Sequence, residues 1–282
     1  MSEYKQKKIA YCGIKGAWAY IAADKLFPDE ELVSYPSFAK AYESVENQET
    51  DFAVLPVENS FAGDVNQVFD LMFHGCLKIS NKQELRISQT LLGVKGTKLS
   101  DIKTVVSHPQ AIDQCMEYIQ KHGFEIQTAS NTAVAANLVS ETNDKTLAAI
   151  GSEETAKLYN LDIIEKAINS NDQNTTRFLV FSKEEPETVV TENVISIVMF
   201  TVKNIPGSLA KAVSAFGDSG YNMRSLKSHP VKNIPWQYYF YVEVEGTLKN
   251  SQGAGLLEKL NHVCIDVVSP GYYIDSQDNK NV

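Results

Sequence analysis

Arginine is nearly absent: Arg86, Arg177 and Arg224 are the only three in 282 residues. Long apolar runs are missing as well, and none approaches the roughly 18 residues that a membrane-crossing helix needs. The first eight residues are basic, but only the short strand-like stretch 9–13 follows them, so they make no secretory leader. Cysteine occurs four times (Cys12, Cys76, Cys115, Cys264), without a Cys-x-x-Cys pair, and the five histidines are dispersed. No metal site or disulfide framework is expected from that spacing, and reduced thiols fit a cytoplasmic location. Gly-x-Gly-x-x-Gly and Walker patterns are lacking, which argues against a nucleotide cofactor. Gly-x-Ser-x-Gly is lacking too, so Ser60 and Ser107 have no nucleophile elbow.

What is present bounds the rest. Hydrophobic residues make up 43% and charged ones 22%, too apolar for a disordered chain and long enough for two domains. The net charge of −9 disfavours nucleic acid or an anionic membrane as the main partner. An anionic ligand would have to be attracted by local groups against that field. Residues 182–188, charged and proline-containing, read as a linker between a segment 1–183 and another from about 190 to 282. Both are acidic: residues 1–183 hold 18 basic and 24 acidic side chains, and the remainder 8 and 11.

The first segment repeats a unit of short apolar run, loop and helical pattern. The run 8–12 leads through Gly13-Ile-Lys-Gly16 to a helix near 17–26. The run 52–57 leads into Glu58-Asn-Ser60, with helical spacing over 65–73. The run 104–106 gives way to Ser107-His-Pro109, where Pro109 suits a first helical turn and Ser107 or His108 its cap. The run 147–150 leads to Gly151-Ser152 and a helix through residue 159. This alternation predicts an α/β segment with a largely parallel sheet, whose ligands bind at the carboxyl ends of the strands. The second segment reads as strand 194–202, helix 206–216, strands 221–227 and 237–245, helix 251–260 and strand 263–268. That βαββαβ order predicts a ferredoxin-like fold.

A guanidinium fork suits a small anionic substrate, which draws attention to Asn174-Thr-Thr-Arg-Phe178 ahead of the apolar strand 178–181. The same residues also fit a polar turn entering a strand. Glu58-Asn-Ser60 fits a strand-end pocket wall or a helix cap. Gln110 and Gln114 lie one helical turn apart and can face the same cleft.

Taken together, Glu58-Asn-Ser-x-x-Gly-x-Val65 with Asp70-Leu71, then Ser107-His-Pro-Gln-Ala111 with Gln114-Cys115, then Asn174-x-Thr-Arg-Phe178, closely resemble the prephenate dehydratase family. Pro206-Gly-Ser-Leu209, Pro230 and Pro235-Trp-Gln-Tyr-Tyr-Phe240 resemble the ACT domain that follows the catalytic domain there. The resemblance covers about residues 7–275. It implies an α/β fold, with a two-lobed, periplasmic-binding-protein-like catalytic domain over 7–183. A C-terminal α+β ferredoxin-like ACT domain over 194–275 is implied to follow. With no chorismate mutase domain ahead of residue 7, it implies the monofunctional form. The implied activity is that of a carbon–oxygen lyase, which converts prephenate to phenylpyruvate with loss of water and CO2 in phenylalanine biosynthesis, without a cofactor or metal.

Carried over residue by residue, the resemblance implies that Thr176 assists departure of the ring hydroxyl, Arg177 holds or steers a substrate carboxylate and Phe178 packs beside the ring. Glu58, Asn59, Ser60, Ser107, Gln110, Gln114 and Asn174 line the pocket. In the ACT domain the resemblance implies that phenylalanine binds and inhibits at Gly207, Ser208, Leu209, Asn222, Lys227, Ser228, His229 and Pro230, across the interface of a homodimer or homotetramer. Neither nucleic acid nor membrane is an implied partner.

The chain departs from the family at four places. Gly13-Ile-Lys-Gly-Ala-Trp-Ala19 replaces Gly-Pro-x-Gly-Thr-x-Ser, leaving Lys15 as a candidate local cation. Gln89 stands where histidine is common. Gly207-Ser-Leu209 replaces Gly-Ala-Leu, and Lys227-Ser-His-Pro230 replaces Glu-Ser-Arg-Pro. The retained Thr-Arg-Phe favours dehydration over a prephenate decarboxylase. Arogenate dehydratase, the same elimination on the aminated substrate, and a non-catalytic amino-acid sensor on the same fold are the alternatives.

Overall fold

A computed structural model describes residues 6–170, 173–185, 192–232 and 234–275. The chain opens with β1 (Lys8–Cys12), α1 (Trp18–Leu26), β2 (Glu31–Tyr35), α2 (Phe38–Glu46), β3 (Phe52–Asn59), the short β4 (Gly63–Asp64), α3 (Asn66–His74) and β5 (Lys78–Arg86). It continues with β6 (Thr90–Gly93), β7 (Thr104–Ser107), α4 (Pro109–Gln114), α5 (Met116–His122), β8 (Glu125–Thr128) and α6 (Thr132–Thr142). Then come β9 (Leu147–Gly151), α7 (Glu153–Leu158), β10 (Asp162–Glu165) and β11 (Thr175–Ser182). The last elements are β12 (Val194–Thr201), α8 (Ser208–Asp218), β13 (Met223–Pro230), β14 (Tyr238–Glu245), α9 (Ser251–Val263) and β15 (Asp266–Ile274). Two compact units emerge, one of residues 1–41, 54–65 and 83–178, the other of residues 42–53, 66–82 and 179–282.

The first unit carries two sheets. In one, the strand order β11-β3-β1-β2 includes a parallel β1–β2 pair running from Lys8↔Glu31 to Cys12↔Tyr35. In the other, order β10-β6-β9-β7-β8, β7 is parallel to β8 and β9, while β6 is antiparallel to β9 and β10. The sheet is therefore mixed where a largely parallel one is expected. The strands β6 and β10 enter it without an alternating apolar run long enough to flag them. Its core is aliphatic and fully buried, with Leu91, Val105, Ala148 and Ile150 on one face and Val106, Ala135, Val139 and Ala149 on the other.

The second unit has strand order β13-β14-β12-β15-β5. Every residue of β12 is buried, its apolar run interrupted only by Ser196 and closed by Thr201, whose hydroxyls bond Gly246 O at 2.7 Å and Asp266 Oδ2 at 2.8 Å. Helices α8 and α9 bring Ala212, Phe216, Leu256 and Leu260 onto Val198, Phe200, Val242 and Val244. Full burial of each large apolar chain contributes about 1.5–3 kcal/mol as an upper estimate. The βαββαβ order is as expected, but α8 starts at Ser208, after Pro206, because Gly207 caps it at φ +83°. Val263 ends α9 instead of opening the last strand. Of the expected linker 182–188, residue 182 closes β11, and residues 186–188 lie outside the described residues.

Residues 66–82 also belong to this second unit, through α3. Phe69 stacks on His229 at 4.4 Å and Phe73 on Tyr239 at 4.6 Å. The Tyr239 hydroxyl donates to Asp70 Oδ1 at 3.0 Å, and Lys232 Nζ lies 2.8 Å from Asp70 Oδ2. The Asp70-Leu71 pair of the sequence pattern is thus a packing and ion-pair feature. Among the described residues no helix is long and apolar enough to cross a membrane.

Candidate active site

A cavity of about 950 Å³ lies within the first unit, walled by the loops that follow β1, β3, β7 and β8 and by the first residues of β11. The β1 loop turns on Gly13 (φ +103°) and Gly16 (φ +90°), left-handed conformations that favour glycine. Ser34 Oγ donates to Gly13 O, Thr155 Oγ1 to Gly16 O at 3.0 Å and Tyr159 Oη to Lys15 O at 3.0 Å, so this loop is pinned along its length. It offers Ile14 and Ala17 to the cavity, and the first turn of α1 adds Trp18 and Ala19. Asn131, at the start of α6, accepts from Val134 N at 2.8 Å, and its neighbours Ser130 and Thr132 line the wall.

Asn59 is 8% exposed and sits at the end of β3. Its Oδ1 accepts from the backbone N–H groups of Phe61 (3.0 Å) and Ala62 (2.8 Å). A backbone N–H can only donate, so this pair of bonds fixes which end of the amide is oxygen. Asn59 Nδ2 is thereby turned to Asn174 Oδ1 at 2.8 Å and to Thr176 Oγ1 at 2.8 Å. Since the Thr176 oxygen receives that bond, its own hydrogen remains available to donate. Thr176 and Phe178 both line the cavity.

Successive strand residues face opposite sides, and this separates the remaining candidates. Arg177 lies between Thr176 and Phe178, and Glu58 precedes Asn59; neither lines the cavity. Arg177 Nη1 is 3.4 Å from Glu58 Oε2 and its Nε 3.4 Å from Glu84 Oε1. Ser60 also lies off the wall: its Oγ accepts from Thr175 N at 2.9 Å, bracing β3 against β11. Ser107 is fully buried, its hydroxyl donating to Ile150 O at 2.7 Å across β7 and β9. Asn174 is buried behind Asn59, and among the described residues its Nδ2 has no hydrogen-bond partner. The structure brings Asn59, Thr176, Phe178, Gln110 and Gln114 together at one cavity, with Asn174 one bond behind.

Among the lining residues outside the set expected from the sequence, two are tied to that set by hydrogen bonds. Gln89, 2% exposed, donates through Nε2 to Gln114 Oε1 at 3.1 Å and so fixes the wall on that side. His108 caps α4, its Nδ1 accepting from Gln110 N at 3.2 Å, and it too faces the cavity. Its place between a strand end and Pro109 was a usable signal, legible only as a cap.

Electrostatically the cavity is bare of cations. Among the described residues no lysine or arginine lines it, and Asp64 is the one carboxylate that does. Lys15, a candidate local cation, has its Nζ 5.9 Å from the Tyr20 ring and is not part of the lining. Donors to an anionic ligand there are amides, hydroxyls and the N–H groups opening α1 and α6. Burial raises the Cys12 thiol above its ordinary range, so it is held as the uncharged thiol at the cavity wall. Among the described residues no group of three histidine, cysteine or acidic side chains is placed to hold a metal.

The residues implied for effector binding lie on the second unit. Gly207, Asn222, Ser228 and Pro230 are exposed, and Ser208, Leu209 and Lys227 half-buried. His229 is only 4% exposed, its Nδ1 3.0 Å from Asn66 Oδ1, and Lys227 Nζ sits 5.9 Å from the centre of the Phe69 ring. These two side chains are engaged with α3 of their own chain. Asn222 Nδ2 donates to Glu245 Oε2 at 2.9 Å.

Comparison with known proteins gives this site a context. A model of the family "Prephenate dehydratase" matches residues 9–186, and one of the "ACT domain" matches residues 196–262. A prephenate dehydratase of Lactococcus lactis subsp. cremoris is 33% identical over 86% of this chain and 88% of its own. GqqA, described as a novel type of quorum-quenching acylase, has a TM-score of 0.87 at 28% identity, covering 96% of this chain and 99% of its own. A prephenate dehydratase of Arthrobacter aurescens in complex with L-Phe has a TM-score of 0.86 at 25% identity, covering 95% and 89%. The α/β catalytic fold followed by an ACT module is the architecture expected from the sequence, and the chain belongs to the prephenate dehydratase family.

Proposed function

We propose that this protein eliminates water and CO2 from prephenate to give phenylpyruvate, with Thr176 as the group that assists the leaving hydroxyl. The observation that carries the assignment is the Asn59 amide, locked by two backbone N–H groups so that it donates to Thr176 Oγ1 and leaves the threonine hydrogen free. In the elimination the ring carboxylate's C–C bond breaks and its electron pair enters the ring, which becomes aromatic. The C–O bond breaks with its pair on oxygen, which takes a proton through Thr176 and departs as water; solvent returns a proton to the threonine. Aromatisation supplies much of the driving force, so a weak acid suffices if its hydrogen bond strengthens as charge grows on the leaving oxygen. Assistance of this kind contributes about 10²–10⁴-fold.

Asn174 holds Asn59 from behind. Phe178 packs beside the ring, and Gln110 and Gln114 orient the polar groups of the substrate. Arg177, next to Thr176 on β11 and paired with Glu58 and Glu84, acts as a steering cation and a brace for that strand. No metal or organic cofactor takes part. The second module, residues 194–275, responds to phenylalanine through the segments 207–209, 222 and 227–230, in a cytoplasmic homodimer or homotetramer. Supporting this reading is the exposure of Gly207, Asn222, Ser228 and Pro230 together with the ACT match.

Incubation with prephenate and identification of the products test the activity. Phenylpyruvate is the expected product; a decarboxylated but non-aromatic product, or recovered prephenate, would overturn it. A thermal-shift and inhibition series over phenylalanine, tyrosine and tryptophan tests regulation, with a response to phenylalanine expected and silence toward all three contradicting it.

A further inference from the structure

On the proposed reading the cavity holds a dianion, and among the described residues no lysine or arginine stands in its wall. Its neutral donors therefore decide where each carboxylate rests, and His108 has a feature the others lack. Its Nδ1 accepts the Gln110 backbone N–H at 3.2 Å. An imidazole nitrogen that accepts carries no proton, so the ring's single hydrogen sits on Nε2. The cap selects the tautomer, and protonation of Nδ1 would cost the α4 cap. With the Nδ1 edge turned to its own helix, the Nε2 edge of a cavity-lining ring is what remains for a ligand. Among the described residues no hydrogen-bond partner meets Nε2.

We infer that His108, as a neutral Nε2–H donor, holds the side-chain carboxylate of the substrate, the one that survives into the product. This deepens the dehydratase reading and rests on it. The choice between the two carboxylates follows from the chemistry. The ring carboxylate loses its charge as CO2 departs, so a donor fixed on it would stabilise the ground state more than the transition state and slow the reaction. The carboxylate of the pyruvyl arm keeps its charge throughout, and a donor there binds substrate and transition state alike. His108 is thus a substrate-binding residue that governs KM, and the same ring serves as helix cap.

The two roles separate by mutation. Asparagine ranks among the best N-caps but is shorter than histidine, so His108→Asn keeps the cap and withdraws the donor. The variant is expected to melt at the wild-type temperature, to raise KM for prephenate at least tenfold, and to hold kcat within about threefold. His108→Ala is expected to show the same KM defect together with a lower melting temperature. A wild-type KM in His108→Asn overturns the inference, and so does a collapse of kcat at unchanged KM. Wild-type protein supplies a readout independent of any variant: phenylpyruvate, titrated into protein with ¹⁵N-labelled histidine, is expected to shift the His108 Nε2 resonance and leave Nδ1 unprotonated. Saturation without a shift overturns it. If wild-type enzyme leaves prephenate unchanged, the dehydratase reading fails instead, and the titration still judges His108.

Discussion

Replacing Asn59 with aspartate probes the site at its most specific point. The new carboxylate keeps the oxygen that Phe61 N and Ala62 N donate to, at 3.0 and 2.8 Å. Its second oxygen replaces the Nδ2 that faces Thr176 Oγ1 and Asn174 Oδ1, both at 2.8 Å. Two acceptors cannot remain in contact, so two hydrogens must move. The Thr176 hydroxyl turns to donate to the carboxylate, which takes its hydrogen away from the cavity. The Asn174 amide flips and brings its Nδ2, without a partner among the described residues, onto the same oxygen.

The aspartate then accepts from two backbone groups, one amide and one hydroxyl. That many donors stabilise the charged form despite its 8% exposure. Folding should change little, by about 1 kcal/mol or less, since each lost bond is replaced. Catalysis should not survive as well, because the hydrogen that assists the leaving hydroxyl is spent within the protein. The expected fall in kcat for Asn59→Asp is about 10²-fold or more, the lower bound for lost general-acid assistance, with the urea midpoint near wild type. Single-turnover formation of phenylpyruvate, paired with urea unfolding of the same samples, gives both numbers. A folded Asn59→Asp variant with kcat within about threefold of wild type would refute the role given to the Asn59–Thr176 bond.

Other expectations are independent of that bond. Thr176→Val should melt like wild type and lose about 10²-fold or more in kcat, measured in the same assay. Burial tends to raise the Asp275 carboxyl, but bonds from Arg224 and Lys82 outweigh it and bring it to about 2, below its ordinary 3.8. Because the folded value is the lower one, the stability contributed is complete above about pH 4 and fades toward pH 2. Allowing for solvent screening it amounts to about 1 kcal/mol, so urea unfolding of Asp275→Asn should show that deficit at neutral pH and a narrowing gap in acid. A methyl group at Gly75 would lie 2.5 Å from Tyr42 Oη and 2.6 Å from Leu71 O. Gly75→Ala should therefore lower stability by about 1–3 kcal/mol in chemical denaturation.

Much of this architecture is legible in the sequence, for identifiable reasons. The strands β1, β3, β7 and β9 are short apolar runs closed by loop chemistry, and Pro109 and Ser152 mark helix starts where α4 and α7 begin. Less legible is β5, whose sequence Lys-Ile-Ser-Asn-Lys-Gln-Glu-Leu-Arg has too few apolar residues to read as a strand. The exposed β8 is similar. Within the site, motif proximity does not separate neighbours that a strand turns to opposite faces. Asn59 and Thr176 meet, whereas Glu58 and Arg177 pair away from the cavity wall. Period-two alternation carries that information once β3 and β11 are known to run through these residues. Nor does sequence show that the Ser107 hydroxyl is used between strands while His108 reaches the cavity. The inward turn of Lys227 and His229 onto Phe69 depends on α3, a helix more than 150 positions earlier in the chain.

The scarcity of arginine acquires a definite consequence at this site. Arg177 is bound to two carboxylates beside the cavity rather than inside it, so on the proposed reading the substrate's charges are left to uncharged donors and helix ends. The most direct test of the central claim compares wild-type protein with Thr176→Val on prephenate, following phenylpyruvate and CO2 together. Stoichiometric release of both by the wild type, and loss of both in a variant that remains folded, is the result this account expects. Equal turnover by the two proteins, or CO2 released without phenylpyruvate, would contradict it.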